Sequence, residues 1–177
     1  REAWTFVHNA LVGVGKRDEV RVIASGKIMT GFHMIRAMAL GADLCNSARG
    51  MMFALGCIQS LRCNNNTCPT GITTQNPALT KGLVVPDKAE RVFRFHQGTV
   101  ESLLDLMDAM GVAGIRDITP DLIFRRTGDM RVKTYAELYD YLTPGQLLDE
   151  GTIPADWARD WNNASASAFA QASRTAG

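Results

Sequence analysis

The spacing of hydrophobic residues predicts alternating helices and short strands over the first part of the chain. A helix over residues 2–14 is predicted by apolar side chains at helical spacing: Trp4, Val7, Leu11 and Val14. Residues 20–24 and 42–46 are short apolar runs, typical of strands that are buried on both faces. Between them, Thr30 is a candidate N-cap of a helix and Gly41 a candidate C-terminal stop. Strand, helix and strand in this order predict a parallel crossover unit.

A long helix is predicted in the second half of the chain. Asp87 is a good N-cap with Glu90 three residues later, as in a capping box, and the helix is expected to end at Gly111. Its apolar stripe is expected to pack in a core and contains Val100, Leu103, Leu104, Leu106, Met107 and Met110. Shorter helices are predicted from Thr119–Pro120, from Thr134 to Leu142, and from Pro154. The residues from Asn162 onward offer little to bury and are expected to fray.

The composition is that of an ordinary globular protein, with 177 residues, of which 46% are hydrophobic and 21% charged. The formal net charge of +1 gives no electrostatic reason to expect nucleic acid or an anionic membrane as partner. No apolar run is long enough to span a bilayer. The first fifteen residues form an amphipathic pattern without the features of a secretory signal, so we expect the chain to begin inside a longer, cytoplasmic protein.

Both predicted strands end in turns of small residues. Ser25-Gly26-Lys27 follows the first strand, and Ala48-Arg49-Gly50 follows the second; a helical start comes after each turn. Small residues let backbone N–H groups approach an anion closely, and a helix N-terminus adds positive charge. Two such turns on adjacent parallel strands predict a phosphate cradle. The alternative is that Gly26 and Gly50 serve only as turn glycines.

Three of the four cysteines lie within twelve residues, with the spacing C-x5-C-x4-C at Cys57, Cys63 and Cys68. Clustered thiols favour a metal site in a reducing compartment over disulfides. Asn64, Asn65 and Asn66 tolerate the left-handed turns that such a loop needs. Three thiolates fit a three-iron cluster, whereas structural zinc needs a fourth ligand, for which His33 and Cys45 are the candidates. Buried cysteines without a metal are the third possibility.

The cysteine segment, with Ala54-Leu-Gly56 before it and Thr70-Gly71 and Thr74-Gln75 around its end, resembles the three-iron, four-sulfur loop of the glutamate synthase large subunit. Earlier segments resemble the last strands of that family's FMN-binding barrel: Ser25-Gly26, Met29-Thr30-Gly31 and Ala39-Leu-Gly41-Ala42. The similarity extends over about residues 1–160 and is greatest to the shorter, glutamate-synthase-like FMN-binding branch.

The resemblance implies an α/β fold in which the chain supplies the last two β/α units of a (β/α)8 barrel. Residues 1–56 would belong to the FMN-binding barrel, 57–76 to the iron–sulfur loop and 77–161 to a helical C-terminal extension, with 162–177 as a disordered tail. Six strands would lie in the sequence before Arg1. The fragment alone is therefore expected to be inactive.

The resemblance also implies the ligands of both cofactors. Cys57, Cys63 and Cys68 match the three ligands of a [3Fe-4S] cluster. Two turns match the positions that hold the FMN phosphate in the family. The first consists of Ser25, Gly26 and Lys27, and the second of Ala48, Arg49 and Gly50. Glutamate synthases commonly have a glycine pair where this chain has Gly26-Lys27, so the side chains of Lys27 and Arg49 are predicted to add charge-assisted contacts to the phosphate. Cys45 matches no ligand and is interpreted as a packed strand residue.

The implied activity is that of an oxidoreductase in glutamate biosynthesis. In the family, reduced FMN transfers a hydride to the imine formed from 2-oxoglutarate and ammonia, which gives L-glutamate, and the iron–sulfur cluster relays electrons to the flavin. The substrates would be 2-oxoglutarate and glutamine or ammonia, and an electron-donor subunit or ferredoxin is a possible partner. Two alternatives are an iron–sulfur electron-transfer module and a zinc-stapled structural domain, neither with a substrate of its own.

Overall fold

The computed structural model describes residues 2–128 and 130–167 as a mixed α/β chain. The helices are α1 (Glu2–Gly13), α2 (Gly31–Ala39), α3 (Ala48–Leu55), α4 (Pro77–Thr80), α5 (Val85–Met110), α6 (Tyr135–Leu138) and α7 (Ala155–Asn162). The strands are β1 (Ile23–Ser25), β2 (Leu44–Asn46), β3 (Phe124–Thr127) and β4 (Arg131–Thr134). Short 3₁₀ turns cover Arg17–Glu19, Ile115–Asp117 and Pro120–Leu122. Among the described helices none is both long and apolar enough to cross a membrane.

The predicted crossover unit is confirmed: β1 and β2 pair in parallel and α2 connects them. Each strand has three residues, fewer than predicted, and pairing starts at Ile23 opposite Leu44. The strands are not covered on both faces in the described chain. Ala24 is fully buried, whereas Ile23 and Leu44, which share the other face, are 53% and 52% exposed. One face of this two-stranded sheet is therefore about half exposed among the described residues.

The predicted ends of α2 are confirmed. Thr30 is the N-cap, and its hydroxyl accepts a hydrogen bond from the His33 amide. Gly41 follows the helix with a φ of +99°, and a Cβ there would overlap the ring of His8. Glycine is therefore required both by the backbone conformation and by the close approach of α1.

Helix α5 packs against α2 and α3 and contributes Leu103 and Met107 to the main core. Gly31 allows this contact, because a Cβ there would lie 2.5 Å from the Leu103 amide nitrogen. The predicted stripe is buried on one side only, since Leu104 is 52% exposed. The predicted capping box is wrong: α5 starts at Val85, two residues before Asp87. Pro86 fits the first turn of a helix because its fixed φ is already helical and it needs no amide partner.

The C-terminal part contains a β-hairpin, β3–β4, that the sequence analysis did not predict. A helix starts at the predicted place: Thr134 is its N-cap, and Glu137 completes the capping box. The helix it starts, α6, ends at Leu138 rather than at Leu142. Helices also form as predicted after Thr119, as a 3₁₀ turn, and after Pro154. Of the tail expected to fray, residues 168–177 lie outside the described residues.

The segment after α6 packs back onto α1. The buried Asn9 side chain donates to the Asp140 carbonyl at 2.7 Å and accepts from the Leu142 amide at 3.2 Å. The Leu147 amide donates to the Gly13 carbonyl at 2.9 Å, and the Phe6 and Trp157 rings stack at 4.8 Å. The first and last described helices are thereby held together.

Candidate functional site

The two small-residue turns lie at the same edge of the β1–β2 sheet. The last cross-strand pair joins Ser25 and Asn46, so Gly26 and Ser47 leave the sheet next to each other. The turns are also linked directly: the Ser47 hydroxyl donates to the Ile28 carbonyl at 2.6 Å. This bond fixes the start of α3 against the segment after β1, a contact that sequence spacing could not reveal.

The first turn depends on its glycine. Gly26 has a φ of +100° and Lys27 one of +58°, so two consecutive residues adopt left-handed conformations. A Cβ at Gly26 would meet no atom within 4 Å, which means that the space beside this backbone is open. The Lys27 side chain is exposed and forms none of the ion pairs between described residues. Gly26 is therefore a turn glycine that also leaves room for a ligand.

The second turn is the first turn of a helix, because α3 begins at Ala48 and not, as predicted, at Met51. The first amides of a helix have no intrahelical acceptor. Ser47 makes no capping hydrogen bond to these amides with its side chain, and its hydroxyl donates to the Ile28 carbonyl. Gly50 is buried inside this helix, and a Cβ there would lie 2.6 Å from the Ser47 oxygen and 3.0 Å from Phe95. Gly50 therefore serves close packing, and the turn-glycine interpretation does not hold for it.

Helix α3 connects the turns to the cysteine segment. It ends at Gly56, whose φ of +101° forms a left-handed C-cap, and the Cys57 amide donates to the Met52 carbonyl at 2.9 Å. Cys57 thus follows the helix directly. The eight-residue helix α3 begins at one predicted cofactor site and ends beside the other, so it sets their spacing.

The cysteine segment has no regular secondary structure, and a network around Asn66 holds it. Asn66 adopts a φ of +63°, as expected for this asparagine run. Its side-chain oxygen accepts from the Gln75 amide at 2.6 Å, and its carbonyl accepts from the Thr74 hydroxyl at 2.6 Å. Gln59 and Leu61 also have positive φ, which no sequence signal indicated. Thr74 and Gln75 are thus residues that shape the loop.

The three predicted ligands differ in their surroundings. Cys68 is buried and Cys63 exposed, while the Cys57 sulfur accepts from the Gln59 amide at 3.5 Å. The Thr70 hydroxyl, 3.3 Å from the sulfur, and the polar groups of Thr73 lower the pKa of Cys68 to about 6, because they stabilise the thiolate. Thiolate is the form that binds metal. Cys63 lines a groove of about 530 Å³ together with Asn64, Asn66, Thr73, Thr74 and Gln75.

The cysteine loop has the donor atoms that an iron–sulfur cluster needs, but the donors are not arranged around one point. The loop offers three sulfur donors, one with the pKa of a ready thiolate. Within residues 2–128 and 130–167, however, no three His, Cys, Asp or Glu side chains are close enough together to hold a metal. The sulfurs would have to converge when a cluster binds, and the segment around Cys63 is exposed and irregular.

The other two residues weighed as metal ligands lie elsewhere. Cys45 is on β2 and packs against the core, where burial raises the pKa of its thiol. This agrees with its interpretation as a packed strand residue. His33 lies in the first turn of α2, where its Nδ1 accepts from the Met29 amide at 3.3 Å.

A larger cleft of about 670 Å³ lies at the amino ends of the strands, away from the turns. Arg17 on its wall donates to Asp43 at 2.8 Å and to His8 Nδ1 at 3.0 Å. Burial and the Arg17 charge lower the pKa of His8, so this ring is an acceptor in the neutral form. These groups are engaged with one another and hold α1 to β2.

Fold and site together define an α/β chain in which two strand-end turns lead directly into a cysteine loop. Residues 2–113 match the family described as "Conserved region in glutamate synthase". The chain belongs to the glutamate synthase family.

Individual relatives are similar over parts of the chain. The glutamate synthase large subunit-like protein YerD of Bacillus subtilis is 43% identical over 110 residues, which are 62% of this chain and 21% of that protein. The archaeal glutamate synthase (NADPH) of Methanocaldococcus jannaschii is 36% identical over 104 residues, 59% of this chain and 20% of that protein. Ferredoxin-dependent glutamate synthase 2 of Synechocystis is 29% identical over 156 residues, 84% of this chain and 10% of that protein. The matched region is about a fifth or less of each relative.

Proposed function

We propose that this chain is part of an FMN-dependent oxidoreductase that forms L-glutamate by reductive amination of 2-oxoglutarate. The observation that carries the reaction class is the family match over residues 2–113. The substrates proposed are 2-oxoglutarate and glutamine or ammonia, with an electron-donor subunit or ferredoxin as partner. The names of the relatives differ in the electron donor: the name of one includes NADPH and that of another includes ferredoxin.

The crossover unit is proposed to supply the last two strands of a (β/α)8 barrel. In such barrels, strand residues alternate between the interior and the surrounding helices. Ala24 and Cys45 face the helical side here, and Ile23 and Leu44 face the open side. Two large apolar residues exposed on one face of a two-stranded sheet are what a separated piece of a closed barrel presents.

The FMN phosphate is proposed to bind between the two turns. The backbone of Ser25, Gly26 and Lys27 would face it on one side, and the first amides of α3, at Ala48, Arg49 and Gly50, on the other. The open space at Gly26 and the amides not capped by Ser47 support this assignment. Lys27 and Arg49 are exposed and without described ion pairs, so both are available to a phosphate.

Cys57, Cys63 and Cys68 are proposed to hold a [3Fe-4S] cluster, which would supply one-electron transfer to the flavin. The contribution of the chain is to position the sulfurs. Cys57 is positioned by the end of α3 and Cys68 by its contact with the Thr70 hydroxyl, and Cys63 is the exposed ligand of the three.

The experiment that tests the proposal uses the complete protein, purified without oxygen, with iron, zinc and flavin quantified and the visible spectrum recorded. We expect FMN and about three iron atoms per chain. Iron without flavin would instead indicate an electron-transfer module, and colourless protein with zinc would indicate a zinc-stapled domain. Either result overturns the proposal.

Two sets of variants assign the residues. Cys63→Ala should lose the cluster but keep bound FMN, whereas the matched control Cys45→Ala should keep both; a full iron complement in Cys63→Ala would refute the ligand assignment. Lys27→Gln with Arg49→Gln should weaken FMN binding without abolishing it, since the backbone donors remain. Unchanged FMN affinity would rule out a role for these two charges.

A further inference from the structure

The β3–β4 hairpin is an exposed element with two different faces. Every residue of both strands is exposed except Thr127 and Thr134, which are half-buried. A two-stranded hairpin gains little stability in water unless it packs against something. Here neither face is buried against the rest of the described chain.

One face of the hairpin is cationic. Cross-strand partners point to the same side of a sheet, as do alternate residues of a strand. Arg125 pairs with Lys133 and Thr127 with Arg131, so the three cations share one face. No ion pair between described residues involves them. The positive charge of Lys133 helps to lower the pKa of Glu137, but the Glu137 carboxylate forms its hydrogen bonds with Thr134 and no ion pair with Lys133. Like charges placed opposite each other destabilise a hairpin, and no counter-charge from the described residues pairs with this face.

The other face is largely apolar. Phe124 and Val132 are diagonal neighbours on it and are 67% and 54% exposed. Arg126 lies on the same face, opposite Val132. Met130, next to the turn, is 88% exposed. The described residues of the hairpin therefore combine four cations with three exposed apolar side chains.

We propose that this hairpin binds an anionic lipid surface. Phe124, Val132 and Met130 would enter the boundary between head groups and acyl chains, and Arg126 on the same face would reach the lipid phosphates. The three cations of the opposite face would lie within about a Debye length of the anionic surface and add to the attraction. An acidic protein segment would neutralise the charges but would not by itself cover the apolar residues. The net charge of +1 is a sum over the whole chain and therefore does not show the local excess of positive charge on the hairpin.

The test is co-sedimentation of the complete protein with phosphatidylcholine vesicles that contain or lack phosphatidylglycerol. We expect binding only to the anionic vesicles, weakened by added salt. The variant Arg125→Gln, Arg131→Gln, Lys133→Gln should bind about 100-fold more weakly, since each cation contributes about a factor of five near an anionic surface. Replacing Phe124 and Met130 by Ser should also weaken binding.

The matched control removes three exposed cations elsewhere: Lys16→Gln, Arg94→Gln, Arg159→Gln. It changes the net charge equally and should bind vesicles like the parent protein. Equal losses in both triple variants would show unspecific attraction and overturn the proposal, as would absent binding of the parent. If the hairpin bound poly-L-glutamate and the protein did not bind vesicles, the ligand of the hairpin would be an acidic protein and not a lipid surface. The iron and FMN content of each variant serves as the folding control. These contents test the proposed function separately from vesicle binding.

Discussion

Ser47 and Ile28 are joined by a 2.6 Å hydrogen bond from the serine hydroxyl to the isoleucine carbonyl. Because Ser47 precedes α3 and Ile28 follows the first turn, this bond holds together the two segments proposed to bind the FMN phosphate. The Ser47 side chain makes no capping bond to α3, so the first amides of the helix remain available to an anion.

Ser47→Ala should weaken FMN binding about fivefold, because one hydrogen bond of about 1 kcal/mol positions the cradle. Flavin fluorescence, titrated on the flavin-free complete protein, measures the dissociation constant. Ser102→Ala, at an exposed position of α5, is the control and should leave the constant unchanged. Identical constants for Ser47→Ala and the parent would show that the bond does not matter for the cofactor.

Asn9→Ala should loosen the contact between α1 and the C-terminal segment. Asn9 is 4% exposed, and its loss leaves the Asp140 carbonyl and the Leu142 amide without their partner, at a cost of about 2 kcal/mol. Hydrogen-exchange mass spectrometry should show faster exchange in residues 140–147. Asn163→Ala, which alters an exposed side chain, should not change it; equal protection in both variants would contradict the role of Asn9.

Asp43→Ala should destabilise the protein by about 2 kcal/mol. Its carboxylate accepts from Arg17 at 2.8 Å and from the Val22 amide at 2.7 Å, and both charged side chains are less than one-fifth exposed. Glu90→Ala removes an equally close but exposed ion pair with Arg94, so its cost should be within about 0.5 kcal/mol. Thermal unfolding compares the two variants, and similar losses would argue against a special role for Arg17–Asp43.

The same pair should make stability depend on pH in the acid range. Burial acts to raise the pKa of Asp43, but the Val22 amide and Arg17 outweigh it and lower the pKa below 3.8. The stabilisation is therefore complete above pH 3.8 and is lost as the pH falls through the lower pKa of the folded state. Melting temperatures should converge between the parent and Asp43→Ala as the solution is acidified. A constant difference down to the acid limit would contradict the assignment.

Much of the crossover unit could be predicted from sequence because its signals are local. The capping by Thr30 and the left-handed Gly41 depend on backbone preferences of the residues themselves, and both are confirmed. The same holds for the left-handed Asn66 in the cysteine loop. The start of α5 was placed wrongly because two local signals competed, and Pro86 determined the first turn where Asp87 had been expected to cap it.

The sequence by itself determined the family resemblance, the order of the β-α-β elements and the spacing of three cysteines on one loop. Only the tertiary structure decided that Ser47 bonds to Ile28, that Gly50 serves packing against Phe95, and that the cationic residues of the hairpin share a face. The reason is physical. Caps and turns arise from interactions within a few residues, whereas these contacts join segments whose approach depends on the path of the whole chain.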